Sequence, residues 1–305
     1  MSQLATLLVN GLSLGCIAAL VTLGFVVVFK ATGVVNFAHG SLVLLGAYVI
    51  GRAHDRFGFV PAVLLAVLVT AAVAALIGAG VLRRVRLADP GTLAVITLGL
   101  DVVVATELTR RIGTDLLSTG DPWGADVVGF GGIFGGVFGG VVVPQTRLVG
   151  AAVALLLVAG FLLALRFTDW GIALRACAEQ PGTATLLGIR LGWVAAGTWL
   201  LAGALAAVAG LFLTAFPASG VSGSVGQAAL GLAVPAAVLG GLDSTTGALV
   251  GGLVVGVVGT LAAGYQDELD FLGRGFGGVA PYLVMLLVLL VRPAGLFGSR
   301  EASRV

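Results

Sequence analysis

Uninterrupted apolar runs of about 20 residues recur along this chain, and they constrain its fold more than any other feature. A helix of that length crosses the roughly 30 Å hydrocarbon layer of a bilayer and satisfies its backbone hydrogen bonds internally. Only 10% of the residues are charged, against roughly 25% in soluble domains. The sequence therefore predicts an all-α polytopic membrane protein with one transmembrane domain over residues 1–305.

Nine apolar segments are predicted, and they indicate a bundle of about eight or nine transmembrane helices. The segment at 228–240 is short for a full crossing and contains Pro235, so we expect broken or re-entrant pieces in the bundle. If one short segment is re-entrant, the count falls to eight. The segments cover residues 7–29, a stretch that ends near 50, then 61–82, 91–110, 148–165, 193–216, 228–240, a stretch that ends near 263, and 279–291.

Glycine is unusually frequent, with 49 residues, and some of it falls at helical spacing. Gly11 and Gly15 form a G-x-x-x-G pair, as do Gly247 and Gly251. Such pairs let two helix backbones approach closely in a membrane. We expect them to serve packing, and smooth contacts of this kind suit helices that rock against one another.

Two polar side chains, Asn36 and His39, interrupt an otherwise apolar stretch, with Gly33 and Gly40 beside them. A buried amide or imidazole at membrane depth is costly unless it is paired or faces a cavity. The glycines predict a bent or interrupted segment. Either it lines a transport pathway, or the polar groups make hydrogen bonds that hold helices together.

Two acids lie inside the fourth apolar segment. Glu107 is near its end, and we expect it to pair with Arg110 or Arg111. Asp101 lies deeper, where an ionisable residue suggests a functional role by default. Two interpretations remain open for Asp101: a place on a transport path, or a structural role in a broken helix where it caps a turn.

The longest polar segment covers residues 166–192 and has apolar spans on both sides. Good helix formers over Ile172–Gln180 predict a helix that Pro181 ends, because proline supplies no backbone N–H. The segment carries neither a nucleophile–base pair nor a metal-ligand spacing. We therefore interpret it as a docking surface outside the bilayer.

A second short helix is predicted directly after this break. Thr183 can cap a helix over Ala184–Leu187, and Gly188 can close it. Residues 166–192 thus form a helix–break–helix element that two membrane segments hold in place.

The distribution of basic residues predicts the orientation. Lys30, residues 83–86, residues 166–190 and the C-terminal tail carry most of the basic side chains and fall on one side of the bundle. Because basic residues are enriched in cytoplasmic loops, we place this side in the cytoplasm. The C-terminus is then inside and the N-terminus outside.

Several function classes are excluded. Lys30 is the only lysine, and its surroundings do not match a phosphate-binding loop, so the chain does not bind ATP in that way. No acid–base or metal constellation predicts an enzyme, so we expect no catalytic residue, no metal and no cofactor. A formal net charge of +2 gives no reason to expect nucleic acid as a partner.

Four stretches carry a resemblance to a known family. They closely resemble the membrane permeases of branched-chain amino acid ABC importers, and in particular the shorter, LivH-type permease. The stretches appear in order over nearly the whole chain, and they are VNFAHGSLVLLGAY (35–48), GIALRACAEQPGTATLLGI (171–189), AVLGGLDSTTGALVGG (237–252) and RPAGLFG (292–298).

The resemblance implies a set of partners. Such permeases work as two transmembrane subunits, so we expect a LivM-type paralogue or a second copy of this chain. Two cytoplasmic ATP-binding subunits supply energy, and an extracytoplasmic substrate-binding protein delivers the solute. The implied location is the inner or plasma membrane, in contact with lipid, and the implied mechanism is alternating access.

The resemblance also implies site residues. The stretch 171–189 resembles the family's coupling loop, and our candidates for the ATPase contact are Arg175, Ala178, Glu179, Leu187 and Gly188. Gln180 stands where the family often has an acid. The candidates for the translocation path are Asn36, Phe37 and His39 of the N-F-A-H-G motif, together with the intramembrane acid Asp101.

Two other functions remain open. An ABC permease for another small polar solute, such as urea, a short amide or a sugar, would have the same coupling loop. An ion-coupled secondary carrier without ATPases rests only on Asp101 and Glu107.

Overall fold

The computed structural model describes residues 2–85, 89–114, 117–120, 123, 126–129, 142–214, 220–268, 271 and 275–298. Helices account for most of this part of the chain. In chain order they are α1 Ser2–Thr32, α2 His39–Phe57, α3 Phe59–Val85, α4 Pro90–Ile112, α5 Gln145–Phe167, α6 Asp169–Glu179, α7 Pro181–Leu186, α8 Leu191–Leu213, α9 Ser224–Gly240, α10 Thr245–Gly264 and α11 Phe276–Val291.

Six of these helices are long and apolar enough to cross a membrane: α1, α3, α4, α5, α8 and α10. The helices α9 and α11 are shorter and apolar. Together with α2, they correspond one for one to the nine segments predicted from the sequence. The prediction of an all-α polytopic membrane protein is confirmed, and most helices extend a few residues beyond the predicted apolar runs.

Side-chain caps explain where several helices begin. The Asp89 carboxylate accepts a hydrogen bond from the backbone N–H of Gly91 at 3.0 Å, and Pro90 occupies the first helical position of α4. The Ser244 hydroxyl accepts one from the N–H of Gly247 at 2.9 Å at the start of α10. Each cap satisfies a backbone donor that the first helical turn cannot pair internally.

Two compact units make up the chain, and the first contains Met1–Thr22, Asp121–Leu156 and Gly231–Val305. In this unit, glycines let α1 and α10 pack backbone to backbone. A Cβ added at Gly15 would lie 2.8 Å from the Cα of Leu253, and one at Gly11 would lie 2.9 Å from the Cα of Val257. The predicted packing role of the Gly11–Gly15 pair is confirmed.

The chain after α11 returns to the turn between α9 and α10 in the same unit. The backbone N–H of Leu296 donates to the carbonyl of Leu239 at 2.8 Å, and that of Phe297 donates to Gly240 at 3.0 Å. Gly295, at φ +79°, allows the sharp turn that makes this return possible. The third and fourth stretches of the resemblance therefore form one packed structure.

The second unit contains Leu23–Gly120 and Leu157–Leu230. Here α2 packs against α3, α4 and α8 and is buried over most of its length. Small residues make this possible: a Cβ at Gly46 would meet the backbone of Ala207 on α8. Gly78 on α3 likewise leaves room for the ring of Trp199, which is fully buried.

A short antiparallel pair of strands, β1 Val127–Gly129 and β2 Val142–Pro144, precedes α5. The sequence between them is rich in glycine and phenylalanine, which predicts an external loop that dips onto or into the membrane. It lies at residues 130–141, outside the described residues. Arg86, Arg300 and Arg304, which contributed to the predicted orientation, also lie outside them.

Candidate functional site

The polar element between α5 and α8 folds as helix, break and helix, as predicted. Thr168 caps α6, because its hydroxyl accepts a hydrogen bond from the N–H of Gly171 at 3.1 Å. The helix ends at Glu179, and Pro181 occupies the first position of α7. Proline fits there because the first residue of a helix needs no intrahelical N–H bond.

One detail of the prediction was wrong: Thr183 does not cap the second helix. Because α7 begins at Pro181, Thr183 lies inside it, and its hydroxyl donates to the Oε1 of Gln180 at 2.9 Å. The predicted closure by Gly188 is confirmed. Gly188 has φ +86°, its N–H donates to Thr185, and the next N–H donates to Ala184, which together form a Schellman motif.

The inner face of this element is small and apolar, and its outer face carries charge. Leu174, Cys177 and Ala184 are buried. Arg175, Glu179, Leu187 and Gly188 are exposed, whereas Ala178 is half-buried. Four of the five candidates for the ATPase contact therefore lie fully on the accessible surface.

Two leucines make the break strongly apolar on the outside. Leu186 is 89% exposed and Leu187 is 76% exposed. Sequence reasoning selected Leu187 but missed Leu186. The signal in the sequence is the pair of adjacent leucines. Leu186 lies in the last turn of the six-residue helix α7 and Leu187 follows it directly, and so short a helix has too few faces to bury both.

The interruption predicted between Gly33 and Gly40 is confirmed. The helix α1 ends at Thr32, residues 33–38 are not helical, and α2 begins at His39. Gly33, at φ +68°, lets the chain leave α1. The first residue after it, Val34, donates its N–H to the Thr32 hydroxyl at 3.3 Å.

Two side chains of α4 hold the interrupted segment. The Thr97 hydroxyl accepts the N–H of Phe37 at 3.1 Å, and its proton is directed to the carbonyl of Val35 at 3.1 Å or Ala94 at 2.8 Å. The Oδ1 of Asp101 accepts the N–H of Ser41 at 2.7 Å. Sequence reasoning missed Thr97, although it lies one helical turn before Asp101 on the same face.

The helix α4 runs without a break from Pro90 to Ile112, so the broken helix considered as one interpretation of Asp101 is not present. Asp101 instead caps a different helix. Ala38, at the cap position of α2, has no side-chain acceptor. Asp101 therefore accepts the hydrogen bond from the Ser41 N–H that the side chain of a cap residue would otherwise accept. A carboxylate at a helix N-terminus also interacts favourably with the helix dipole.

Both polar side chains of the N-F-A-H-G motif are fully buried, at 0% exposure. The His39 ring lies edge-on to Phe25, with ring centroids 6.4 Å apart, and fills the space above Gly24. Neither the nitrogen nor the oxygen of the Asn36 amide has a hydrogen-bond partner among the described residues. The structure thus places half-buried Phe37 between the buried Asn36 and His39, in one segment that Asp101 helps to hold.

Glu107 pairs with both candidate arginines. Its carboxylate accepts from Arg110 at 2.8 and 2.9 Å and from Arg111 at 2.7 Å. The described residues contain no group of three or more potential metal ligands.

Comparison with known proteins places the chain in a sequence family. Residues 7–291 match the family described as the permease component of a branched-chain amino acid transport system. The high-affinity branched-chain amino acid transport system permease protein LivH of Escherichia coli (strain K12) is 31% identical over 97% of this chain and 96% of its own length.

Other relatives give the same picture. The high-affinity branched-chain amino acid transport system permease protein BraD of Pseudomonas aeruginosa is 31% identical over 98% of this chain and 97% of its own length. The fructose import permease protein FrcC of Rhizobium meliloti is 27% identical over 74% of this chain and 62% of its own length. No solved structure matches the chain significantly. The chain belongs to the family of branched-chain amino acid transport system permease components.

Proposed function

We propose that this chain is the transmembrane permease subunit of an ABC importer that carries leucine, isoleucine and valine across the inner membrane. The observation that carries the proposal is the match to LivH over nearly the full length of both proteins. The helical architecture and the exposed helix–break–helix element are consistent with it. In this proposal residues 1–305 work as one permease domain.

Energy enters from two cytoplasmic ATP-binding subunits, and an extracytoplasmic binding protein delivers the amino acid. A second permease, a LivM-type paralogue or another copy of this chain, completes the translocation path. We propose that Arg175, Glu179 and Leu187 contact the ATPase, because they are exposed on a short element whose two helices are capped by its own residues. Ala178 and Gly188 border this contact.

The translocation path, in this proposal, passes the interrupted segment of Asn36, Phe37 and His39. Backbone that leaves helical geometry at membrane depth is tolerated where it packs on protein or lines a pathway. Asp101 acts on the path through its bond to Ser41.

Reconstitution tests the function directly. The chain is assembled in liposomes with its partner permease, the two ATPases and the binding protein, and uptake of labelled leucine is measured. We expect uptake that requires ATP and persists when the proton gradient is collapsed. Uptake that survives loss of the ATPases but fails without the gradient would support a secondary carrier instead.

A sugar importer is the second candidate, because a fructose import permease is among the relatives. The same liposomes distinguish the two: competition by unlabelled isoleucine and valine supports the proposal, and competition by fructose alone contradicts it.

Labelling tests the orientation. The native Cys177 is a poor target, because burial hides its thiol and raises its pKa. A Gly182→Cys variant places the thiol on the exposed surface of α7, where an added Cβ meets no atom within 4 Å. We expect a membrane-impermeant maleimide to label it only after the cells are permeabilised. Labelling in intact cells would place the element outside and contradict its docking role.

A further inference from the structure

The buried face of α4 carries two polar side chains in an otherwise apolar stripe. Leu93, Thr97, Leu108 and Ile112 are its buried residues, and half-buried Asp101 lies one turn after Thr97. Residues four apart lie one above the other on a helix. Thr97 and Asp101 therefore face the same neighbour, the segment from Val35 to Ser41.

Local acceptors do not satisfy every backbone N–H of this segment. Residues 33–38 make no helical ladder, and Ala38 offers no cap to α2. A buried N–H without a partner costs roughly 1–3 kcal/mol. The missing acceptors come from α4: Thr97 takes the N–H of Phe37, and Asp101 takes that of Ser41.

The same segment leaves one side chain unsatisfied. The Asn36 amide is fully buried, and neither of its polar atoms has a partner among the described residues. If Asn36 served to hold helices together, its amide would bond a neighbouring helix. Instead, Thr97 and Asp101 hold the segment against α4. The Asn36 amide therefore keeps a hydrogen-bond donor and an acceptor available.

We infer that Thr97 and Asp101 are positioning residues for solute transfer, which hold the segment 35–41 so that the Asn36 amide can bind the head group of the passing amino acid. A zwitterion offers a carboxylate to the amide N–H₂ and an ammonium to the amide oxygen. The inference rests on the proposed function for the identity of the solute. The positioning itself depends only on the bonds to Phe37 and Ser41.

The test uses the complete complex in liposomes and compares paired variants. Thr97→Val removes the hydroxyl at nearly constant shape, and Thr97→Ser keeps it. Asp101→Leu removes the acceptor, and Asp101→Asn keeps an oxygen that can still bond Ser41. Thr198→Val is the matched control, because the buried Thr198 hydroxyl donates to the carbonyl of Ala195, within its own helix.

We expect uptake per folded complex to fall about tenfold in Thr97→Val and in Asp101→Leu, the effect of losing one buried hydrogen bond in transport. Thr97→Ser, Asp101→Asn and Thr198→Val should stay within about threefold of the wild type, since each keeps the bond in question. Hydrogen exchange of purified protein should be faster in the peptide that covers residues 33–41 of Thr97→Val, and unchanged there in Thr198→Val.

Three results would overturn the inference. Wild-type uptake by Thr97→Val would show that the bond to Phe37 is dispensable. Equal losses in Asp101→Asn and Asp101→Leu would show that the charge, and not the cap, matters. Equal losses in Thr198→Val and Thr97→Val would reduce the effect to general helix stability. If the wild-type complex carries fructose and not leucine, the proposed substrate fails, whereas the exchange comparison still tests the positioning.

Discussion

Two interruptions of helical structure can be compared in this molecule, one exposed and one buried. The exposed break comprises the junction of α6 and α7 at Gln180, the short helix α7, and Gly188, which closes α7. The buried break joins α1 to α2 over residues 33–38. Both use a glycine with positive φ, but their backbone groups find partners in different ways.

The exposed break satisfies itself. Thr168 caps the first helix, and the Schellman bonds at Gly188 close the second. Every one of these partners lies within a few residues along the chain. The buried break depends on Thr97 and Asp101, which lie about 60 residues away. In this molecule the buried break is therefore specified by another helix, whereas the exposed one is encoded locally.

Packing at the buried break should be the most sensitive feature of this comparison. A Cβ at Gly40 would lie 2.8 Å from the carbonyl oxygen of Gly226 and 2.7 Å from the Cγ of Leu230. We expect Gly40→Leu to abolish folded protein, because overpacking against backbone costs about 3 kcal/mol or more. Gel filtration of detergent-solubilised protein measures the amount of folded protein.

Gly182→Leu is the control for Gly40→Leu at the exposed break, where an added Cβ meets no atom within 4 Å. It should give wild-type amounts of folded protein. Equal yields of the two variants would mean that the contact between α2 and α9 is loose.

Charge at the exposed break should matter for coupling and not for folding. Arg175→Glu or Glu179→Arg should lower ATP-driven uptake about tenfold, the effect of placing one wrong charge in an interface. The amount of protein in the membrane should not change, since both side chains are exposed.

Arg56→Glu makes the same charge change as Arg175→Glu, but on an exposed arginine of α2 outside the element, and should leave uptake intact. If uptake is normal in all three variants, the surface does not dock the ATPase. If Arg56→Glu loses as much uptake as Arg175→Glu, the effect is one of net charge.

The Asn36 amide separates transport from stability at the buried break. Replacing an unpaired buried amide by an apolar side chain of similar size is neutral or stabilising. Asn36→Leu should therefore keep or raise the thermal midpoint, yet lower uptake several-fold, about 1 kcal/mol in the barrier. A loss of folded protein with normal uptake per molecule would favour the packing interpretation.

Asn10→Leu is the matched control. The Asn10 amide donates to the carbonyl of Thr6 at 3.0 Å and accepts from Arg147 at 2.7 Å. Removing it leaves Arg147 without this partner, so Asn10→Leu should lower the thermal midpoint. The two asparagines should thus respond in opposite directions.

The sequence predicts secondary structure well where the hydrogen-bond partners are close along the chain. The apolar runs predict the helices, and Pro181 and Gly188 predict the exposed break, because their effects act on adjacent residues. The prediction of Thr183 as a cap depends on a start of α7 at Ala184, which is later than the start at Pro181. Proline ends one helix, but it also suits the first position of the next.

The buried break was predicted only in part. Gly33, Asn36 and His39 indicate an interruption, but nothing near them names its partners. The bond from Phe37 to Thr97 spans 60 residues, and such pairing follows from how α4 packs on α2. For the same reason, the sequence left open whether Asp101 serves the path or the structure.

The glycines of the two breaks give the smallest expected effect and the cleanest comparison. Gly33 and Gly188 have φ of +68° and +86°, and an added Cβ would meet no atom within 4 Å at either. Gly33→Ala and Gly188→Ala should therefore lower the free energy of unfolding by the same amount, about 1 kcal/mol of conformational strain. Thermal unfolding of the two variants measures this. If transport needs the buried break to keep its geometry, Gly33→Ala should slow uptake at unchanged ATP hydrolysis, whereas Gly188→Ala should weaken the stimulation of the ATPase by the permease. Identical uptake defects with identical ATPase activity would mean that the two breaks differ in their bonding but not in their function.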